Sequence, residues 1–111
     1  MTPKPREVYL ARFPFSDLTS SKKRPVLVLS KERFNHETKG CIVAALTTND
    51  AAPYSVRIMD KDLEFGSLFG GRSAVQYGDI FSASDTLLEK KIMRLKQGCF
   101  EEICRKFKAL I

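Results

Sequence analysis

The stretch Lys22-Lys23-Arg24-Pro25-Val26-Leu27-Val28-Leu29-Ser30 decides how this chain is read. Three cations precede a proline, and four aliphatic residues then follow without a charge among them. A short valine-rich run, bounded by Pro25 and by Ser30-Lys31, has the signature of a strand buried on both faces. Pro25 suits the first position of such a strand, because it has no N–H to give the ladder. Arg24 would then stand where a polar loop becomes rigid sheet, a place from which a side chain meets a ligand with little loss of entropy.

Downstream, Cys41 to Leu46 (CIVAAL) is a second uninterrupted apolar run and reads as another doubly buried strand, followed at once by Thr47, Thr48, Asn49 and Asp50. If the two strands are antiparallel neighbours, Arg24 and the two threonines share one end of the sheet. Between them, Ser30 reads as the N-cap of a short helical turn through Asn35 that Asn35-His36 and Gly40 end. Upstream, Glu7 to Phe15 alternates as a strand, with Val8, Leu10 and Arg12 facing one way and Tyr9, Ala11 and Phe13 the other. Ser16 to Lys23 reads as a flexible polar loop, and Met1 to Pro5 as a loose arm.

After a turn around Pro53, Ser55 to Met59 is a strand with Val56 and Ile58 inward. The charged segment Asp60 to Phe65 and the glycines at 66, 70 and 71 read as loop. Ser73 to Ser82 is one strand broken by a bend or bulge at Gly78, Asp85 to Leu88 a turn or short helical piece, and Lys90 to Leu95 a last strand. From Gln97 the period becomes helical: Phe100, Ile103, Cys104, Phe107 and Leu110 or Ile111 repeat at three and four residues, opposite Glu101, Glu102, Arg105, Lys106 and Lys108. Five to seven short strands with a terminal amphipathic helix, and no βαβ alternation, make one small α+β domain over residues 1–111, a twisted or barrel-like antiparallel sheet.

Composition points to the partner. The 111 residues carry a net charge of +6 and a pI near 9.4, which favours an anionic partner, nucleic acid being the commonest. Cys41, Cys99 and Cys104 are odd in number and match no zinc or CxxC spacing, so reduced thiols are expected. No apolar run has the length of a membrane span or the look of a signal peptide, and the protein is expected in the cytoplasm.

The residues carry a resemblance over nearly the whole chain. Val8-Tyr9-Leu10 with Phe13-Pro14-Phe15-Ser16-Asp17, then Lys23-Arg24-Pro25-Val26-Leu27-Val28-Leu29-Ser30, Asn35 and Ile42-Val43-Ala44-Ala45-Leu46-Thr47 resemble the MazF/PemK/Kid family of toxins from toxin-antitoxin systems. Ser73-Ala74-Val75-Gln76, Ile80-Phe81-Ser82, Lys91-Ile92 and Leu95 are similar to that family as well. The resemblance implies an SH3-like β-barrel with a C-terminal helix, usually homodimeric. It also implies a sequence-selective endoribonuclease that cleaves single-stranded mRNA without metal or other cofactor, and an antitoxin that inhibits it. It transfers catalytic roles to Arg24 and Thr47, with Thr48 beside them, and makes the loop from Ser16 to Lys23 the gate of the RNA groove, where an antitoxin tail would lie.

Chemistry agrees with that transfer. Metal-free cleavage can use the substrate's own 2′-OH as nucleophile. A permanently charged, planar guanidinium at Arg24 matches phosphate oxygens, while Thr47 can give or take one hydrogen bond and is a poor base unaided. Lys22 and Lys23, with Ser20 and Ser21 in the loop, are the RNA-binding candidates. The Arg and Asp that some members of the resembled family carry in the late strand are replaced here by Gln76 and Gly78, with Asp79 one place on; other members lack that Arg too, so Gln76 and Asp79 are secondary catalytic candidates and the proton-transfer group is open. Asp17 is a further possibility, and Arg6 replaces the glycine usual before the first strand.

Plainer readings stand beside these. Arg24 could be a surface charge paired with Asp17 or Glu7, and Thr47 and Thr48 ordinary strand-end residues. His36 reads as a capping or solvated residue, Asp60, Asp62 and Glu64 as solvated loop acids without a metal, and Phe100, Ile103 and Phe107 as core or dimer contacts. The alternative function is a catalytically silent RNA-binding or dimerisation module on the same barrel. A gyrase poison on the related fold ranks last, since that action runs through a C-terminal Trp and the chain has none.

Overall fold

The computed structural model describes residues 2–14, 21–68 and 72–111. Its strands are β1 (Glu7–Pro14), β2 (Ser21–Val28), β3 (Gly40–Thr47), β4 (Ser55–Ile58), β5 (Leu63–Gly66), β6 (Ser73–Ser84) and β7 (Leu88–Leu95), and its helices α1 (Glu32–Thr38) and α2 (Gln97–Lys108). All strands pair antiparallel in one sheet of order β4-β6-β3-β2-β1-β7-β5. Ile58 of β4 and Met93 and Leu95 of β7 lie near opposite edges of that order yet share one apolar cluster. The sheet therefore curls into a half-barrel, and Ile103 of α2 is buried in the same cluster.

The two apolar runs behave as their composition requires. Leu27, Ala44 and Leu46 point into the cluster inside the curl, with Val8 and Val75. Val26, Val28, Cys41 and Val43 alternate to the other face, where Tyr9, Ala11 and Ala83 form a second buried cluster. Each fully buried Val or Leu contributes about 1.5–3 kcal/mol, so a charge in either run would have no tolerable face. The sharing of β1 between both clusters is why its sequence alternates only loosely.

Several boundaries differ from the sequence reading. β2 begins at Ser21, so Lys22 and Lys23 belong to the strand, and Pro25 lies in its interior opposite Leu10. The rest of the expected loop, Ser16 to Ser20, lies outside the described residues, as do Phe69, Gly70 and Gly71. The expected loose arm is anchored from Thr2 onward: Pro3 is buried, and its carbonyl accepts from Asn35 Nδ2 at 2.8 Å. α1 starts one residue later than read, with Lys31 at the N-cap. Ser30 instead accepts from the Ile42 backbone N–H at 2.8 Å and bonds to the Asn35 carboxamide.

The helix ends on Lys39 in the left-handed region (φ 57°), and Gly40 serves the sheet rather than the cap. A Cβ there would sit 2.7 Å from the Ala83 carbonyl oxygen. Leu63 to Gly66, read as loop, is strand β5 on β7, because pairing supplies the order its charged sequence does not advertise. The bend at Gly78 is real: Ala44 pairs with Ile80 and Leu46 with Val75, so two steps along β3 match five along β6.

Around β1 an electrostatic network closes the half-barrel. Glu7 is only 2% exposed and accepts from the Tyr9 hydroxyl (3.0 Å), the Lys4 backbone N–H (2.9 Å), Lys91 Nζ (2.9 Å) and Arg94 Nη2 (3.2 Å). Arg94 also donates to Glu64 at 3.0 Å, as does Arg6 at 3.3 Å. Arg6 has φ 76°, a conformation that favours glycine and costs a β-carbon residue on the order of 1 kcal/mol; its guanidinium is anchored by Glu64 and by the Leu95 carbonyl at 3.2 Å. The turn before β1 is thus made by a residue that strains to form it.

Burial works to raise the Glu7 pKa, but the bonds from Lys91, Lys4, Tyr9 and Arg94 outweigh it and hold the carboxyl below the ordinary glutamate value. A folded-state pKa below the unfolded one adds stability that is full above the ordinary carboxylate range and disappears as pH falls through the folded value. Glu7→Gln is therefore expected to lower the unfolding free energy by about 3 kcal/mol at neutral pH. In urea titrations the gap between wild type and variant should close as the pH is brought below the glutamate range. A gap that stays constant with pH would remove this charge-based account.

Candidate functional site

β2 and β3 are paired only from Val26↔Ala45 through Leu27↔Ala44 to Val28↔Val43. Pairing begins directly after Pro25, and upstream of it the strands separate. Continuing the same register would set Arg24 opposite Thr47, and the space between is a cleft of 240 Å3 lined by Lys23, Arg24, Pro25, Leu46, Thr47, Thr48 and Ser73. The neighbourhood expected from two antiparallel strands is present: Lys23, Arg24, Thr47 and Thr48 meet at one mouth.

The structure does not bring every candidate to that mouth. Gln76 is half-buried opposite Ser55 of β4, Asp79 is exposed in the β6 bulge, and neither lines the cleft. Ser20 and Asp17 lie outside the described residues, while Ser21 and Lys22 open β2 opposite Pro14 and Phe13. Ser73 was missed by sequence reasoning. It opens β6, is 2% exposed and lines the cleft, since its neighbour Ala74 pairs with Thr47; its sequence signal was its place in the Ser73-Ala74-Val75-Gln76 segment.

The bonding of Thr47 limits what it can do. Its Oγ1 accepts from the Asn49 backbone N–H at 3.1 Å, and Asn49 Oδ1 accepts in turn from the Ala51 N–H at 3.2 Å. With one lone pair so occupied, the hydroxyl is set to donate its proton to an anion in the cleft. Among the described residues, no carboxylate lines the cleft.

Lys23 is tied sideways. Its Nζ lies 3.0 Å from Glu89 Oε1 of β7, and the other oxygen of Glu89 accepts from Arg12 Nε of β1 at 2.7 Å. The bonds from Arg12 and then Lys23 hold the Glu89 carboxyl below the ordinary glutamate range. All three side chains are at least a third exposed, so the bridge is a solvated one.

Other candidates settle into structural roles. Glu7 pairs with Lys91 and Arg94. Asp62 accepts from the Met59 backbone N–H, and Glu64 pairs with Arg6 and Arg94. His36 Nδ1 is 3.4 Å from the Thr2 hydroxyl. The cysteines are free thiols, with burial pushing Cys41 and Cys99 up to about 11. Among the described residues no three His, Cys, Asp or Glu side chains converge as a metal site. A wider concavity of 720 Å3 follows α2 between Gln97 and Lys108, but its rim mixes acids and bases on one helix and holds none of the convergent groups of the β2–β3 mouth.

With this geometry established, comparison with known proteins is informative. A family model described as "PemK-like, MazF-like toxin of type II toxin-antitoxin system" matches residues 4–111. No curated protein matches the chain. Among solved structures, a MazE-MazF complex from Deinococcus radiodurans superposes with a TM-score of 0.81 at 17% identity, covering 99% of this chain and 96% of the other. An endoribonuclease in complex with its cognate antitoxin from Mycobacterial species gives 0.76 at 18%, covering 97% and 91%. The Mycobacterium tuberculosis toxin MazF-mt6 gives 0.72 at 19%, covering 94% of each chain. At such identities these likenesses establish the shared fold.

Arg24 and Thr48 are exposed in the cleft mouth rather than packed in the core. Arg24→Ala and Thr48→Ala are accordingly expected to change the unfolding free energy by less than about 0.5 kcal/mol. Leu46→Ala, 3% exposed in the wall of the same cleft, should cost about 2–4 kcal/mol in the same denaturation assay.

Proposed function

The chain belongs to the PemK-like, MazF-like toxin family of type II toxin-antitoxin systems, and from that premise we propose that it is an endoribonuclease that cuts single-stranded RNA by way of the substrate's own 2′-OH. The observation that carries the reading is the meeting of Arg24 and Thr47 where β2 and β3 part. It is supported by the net charge of +6 and by structural relatives described as endoribonucleases.

In this reading the scissile phosphate enters the mouth and Arg24 faces it, its planar guanidinium fork matched to the two non-bridging oxygens. As the 2′-oxygen attacks, negative charge grows on those oxygens, and a cation already in place stabilises the transition state more than the ground state. Thr47, its lone pair held by Asn49, donates its proton to the same phosphate. Thr48 and Ser73 give hydroxyls on either side, and Lys23 holds a neighbouring phosphate of the backbone. The bond from the 2′-oxygen to phosphorus forms as the bond to the 5′-oxygen breaks, leaving a 2′,3′-cyclic phosphate. Water takes the 2′ proton and supplies one to the departing 5′-oxygen, since the described lining holds no carboxylate or imidazole. An antitoxin segment that covers the mouth would inhibit simply by excluding RNA, and structures of relatives with cognate antitoxins support that partner. A homodimer acting in the cytoplasm completes the proposal; no helix among the described residues is long and apolar enough to cross a membrane.

The test is cleavage of a long RNA by the purified protein in EDTA. Wild type should cut, and Arg24→Ala should lower the rate by roughly 10²–10³-fold, as expected for loss of a charge at the developing anion. Intact RNA with wild type would remove the ribonuclease reading, retention without cutting would identify a silent RNA binder, and undiminished cutting by Arg24→Ala would remove the role of that residue.

A further inference from the structure

Arg12 is in none of the roles assigned above, yet it sits one strand away from the cleft with its cation shared by the same carboxylate that holds Lys23. β1 and β2 pair Arg12 with Lys23, so the two side chains leave one face of the sheet side by side. Glu89 reaches them from β7, placing Oε2 2.7 Å from Arg12 Nε and Oε1 3.0 Å from Lys23 Nζ. Two oxygens of one anionic centre, each on a different cation, is also how the two non-bridging oxygens of a phosphodiester would be held. Lys23 itself lines the cleft mouth, so the cation pair is continuous with the place proposed for the scissile phosphate.

We propose that Arg12 and Lys23 form a phosphate subsite for the RNA backbone next to the cleavage cleft, and that Glu89 occupies it in the free protein as an internal competitor. The inference rests on the ribonuclease reading and extends it by one backbone phosphate. Its physical basis is the weakness of exposed ion pairs. With Arg12 49%, Lys23 47% and Glu89 33% exposed at their side chains, the bridge is solvated and exchangeable, unlike the buried one at Glu7. A strand tethered at Arg24 presents its adjacent phosphate at high local concentration and displaces Glu89 without further diffusion. Glu89 thereby holds the cations in position while it lowers their affinity for polyanions that do not also fill the cleft.

The test is binding, kept apart from cleavage, using a randomised pool of 2′-O-methyl oligoribonucleotides that lack the nucleophile. Glu89→Gln, which keeps the side-chain shape, should tighten binding about two- to fivefold at low salt and steepen the salt dependence by about 0.7 in the log–log slope, one added phosphate contact on a single strand. Adding Arg12→Gln to Glu89→Gln should abolish the gain. Unchanged or weaker binding by Glu89→Gln, with wild type still binding RNA, overturns the subsite and leaves the ribonuclease reading intact. Wild type that binds no RNA overturns both. A gain seen with polyglutamate and absent with RNA assigns the cations to an acidic polypeptide and overturns the proposal.

Discussion

The structure depends on a central ladder that must be apolar on both sides. β2 and β3 lie in the middle of the seven-strand order, and only residues without charge can fill positions that alternate between two buried clusters. That constraint fixes where the ladder can end. It stops at Pro25, which offers no N–H, and at Thr47, where the apolar run gives way to hydroxyls. The cleft is thus the region where the conditions for pairing lapse, and its walls inherit the rigidity of the paired part.

Two carboxylates show how environment divides one chemistry. Glu7 and Glu89 each bridge two cations across strands, and in both the hydrogen bonds hold the carboxyl below its usual range. Glu7 is desolvated, so its partners are committed, and losing one would leave a charge stranded in the core wall. Glu89 faces water, where the same pairing is weak and exchange is easy. The first ties β1 to β7, and the second stands at the edge of the cleft.

Much of this was legible. Both doubly buried strands, the Gly78 bend and the helical period from Gln97 follow from local pattern, because strand burial and helix amphipathicity are written at spacings of two and of three to four residues, whereas the meeting of Arg24 with Thr47 needed the antiparallel pairing of β2 with β3. The misses share one cause. Leu63 to Gly66 looks like a charged loop until β7 pairs with it. Pro3 becomes buried only because Asn35 reaches back to its carbonyl, and Lys22 and Lys23 join β2 only because Phe13 and Arg12 lie opposite.

The sequence by itself determined the α+β class, the strands that must be buried, the family and the two residues at the cleft's centre, since each rests on short-range pattern or on motif. Tertiary structure alone decided that Gln76 and Asp79 stay away from the mouth, that Ser73 enters it, that Arg6 takes a glycine's backbone conformation, and that Glu89 holds Lys23. Those facts depend on which strands adjoin across gaps of tens of residues. Register and curl set that adjacency, and no local propensity encodes it.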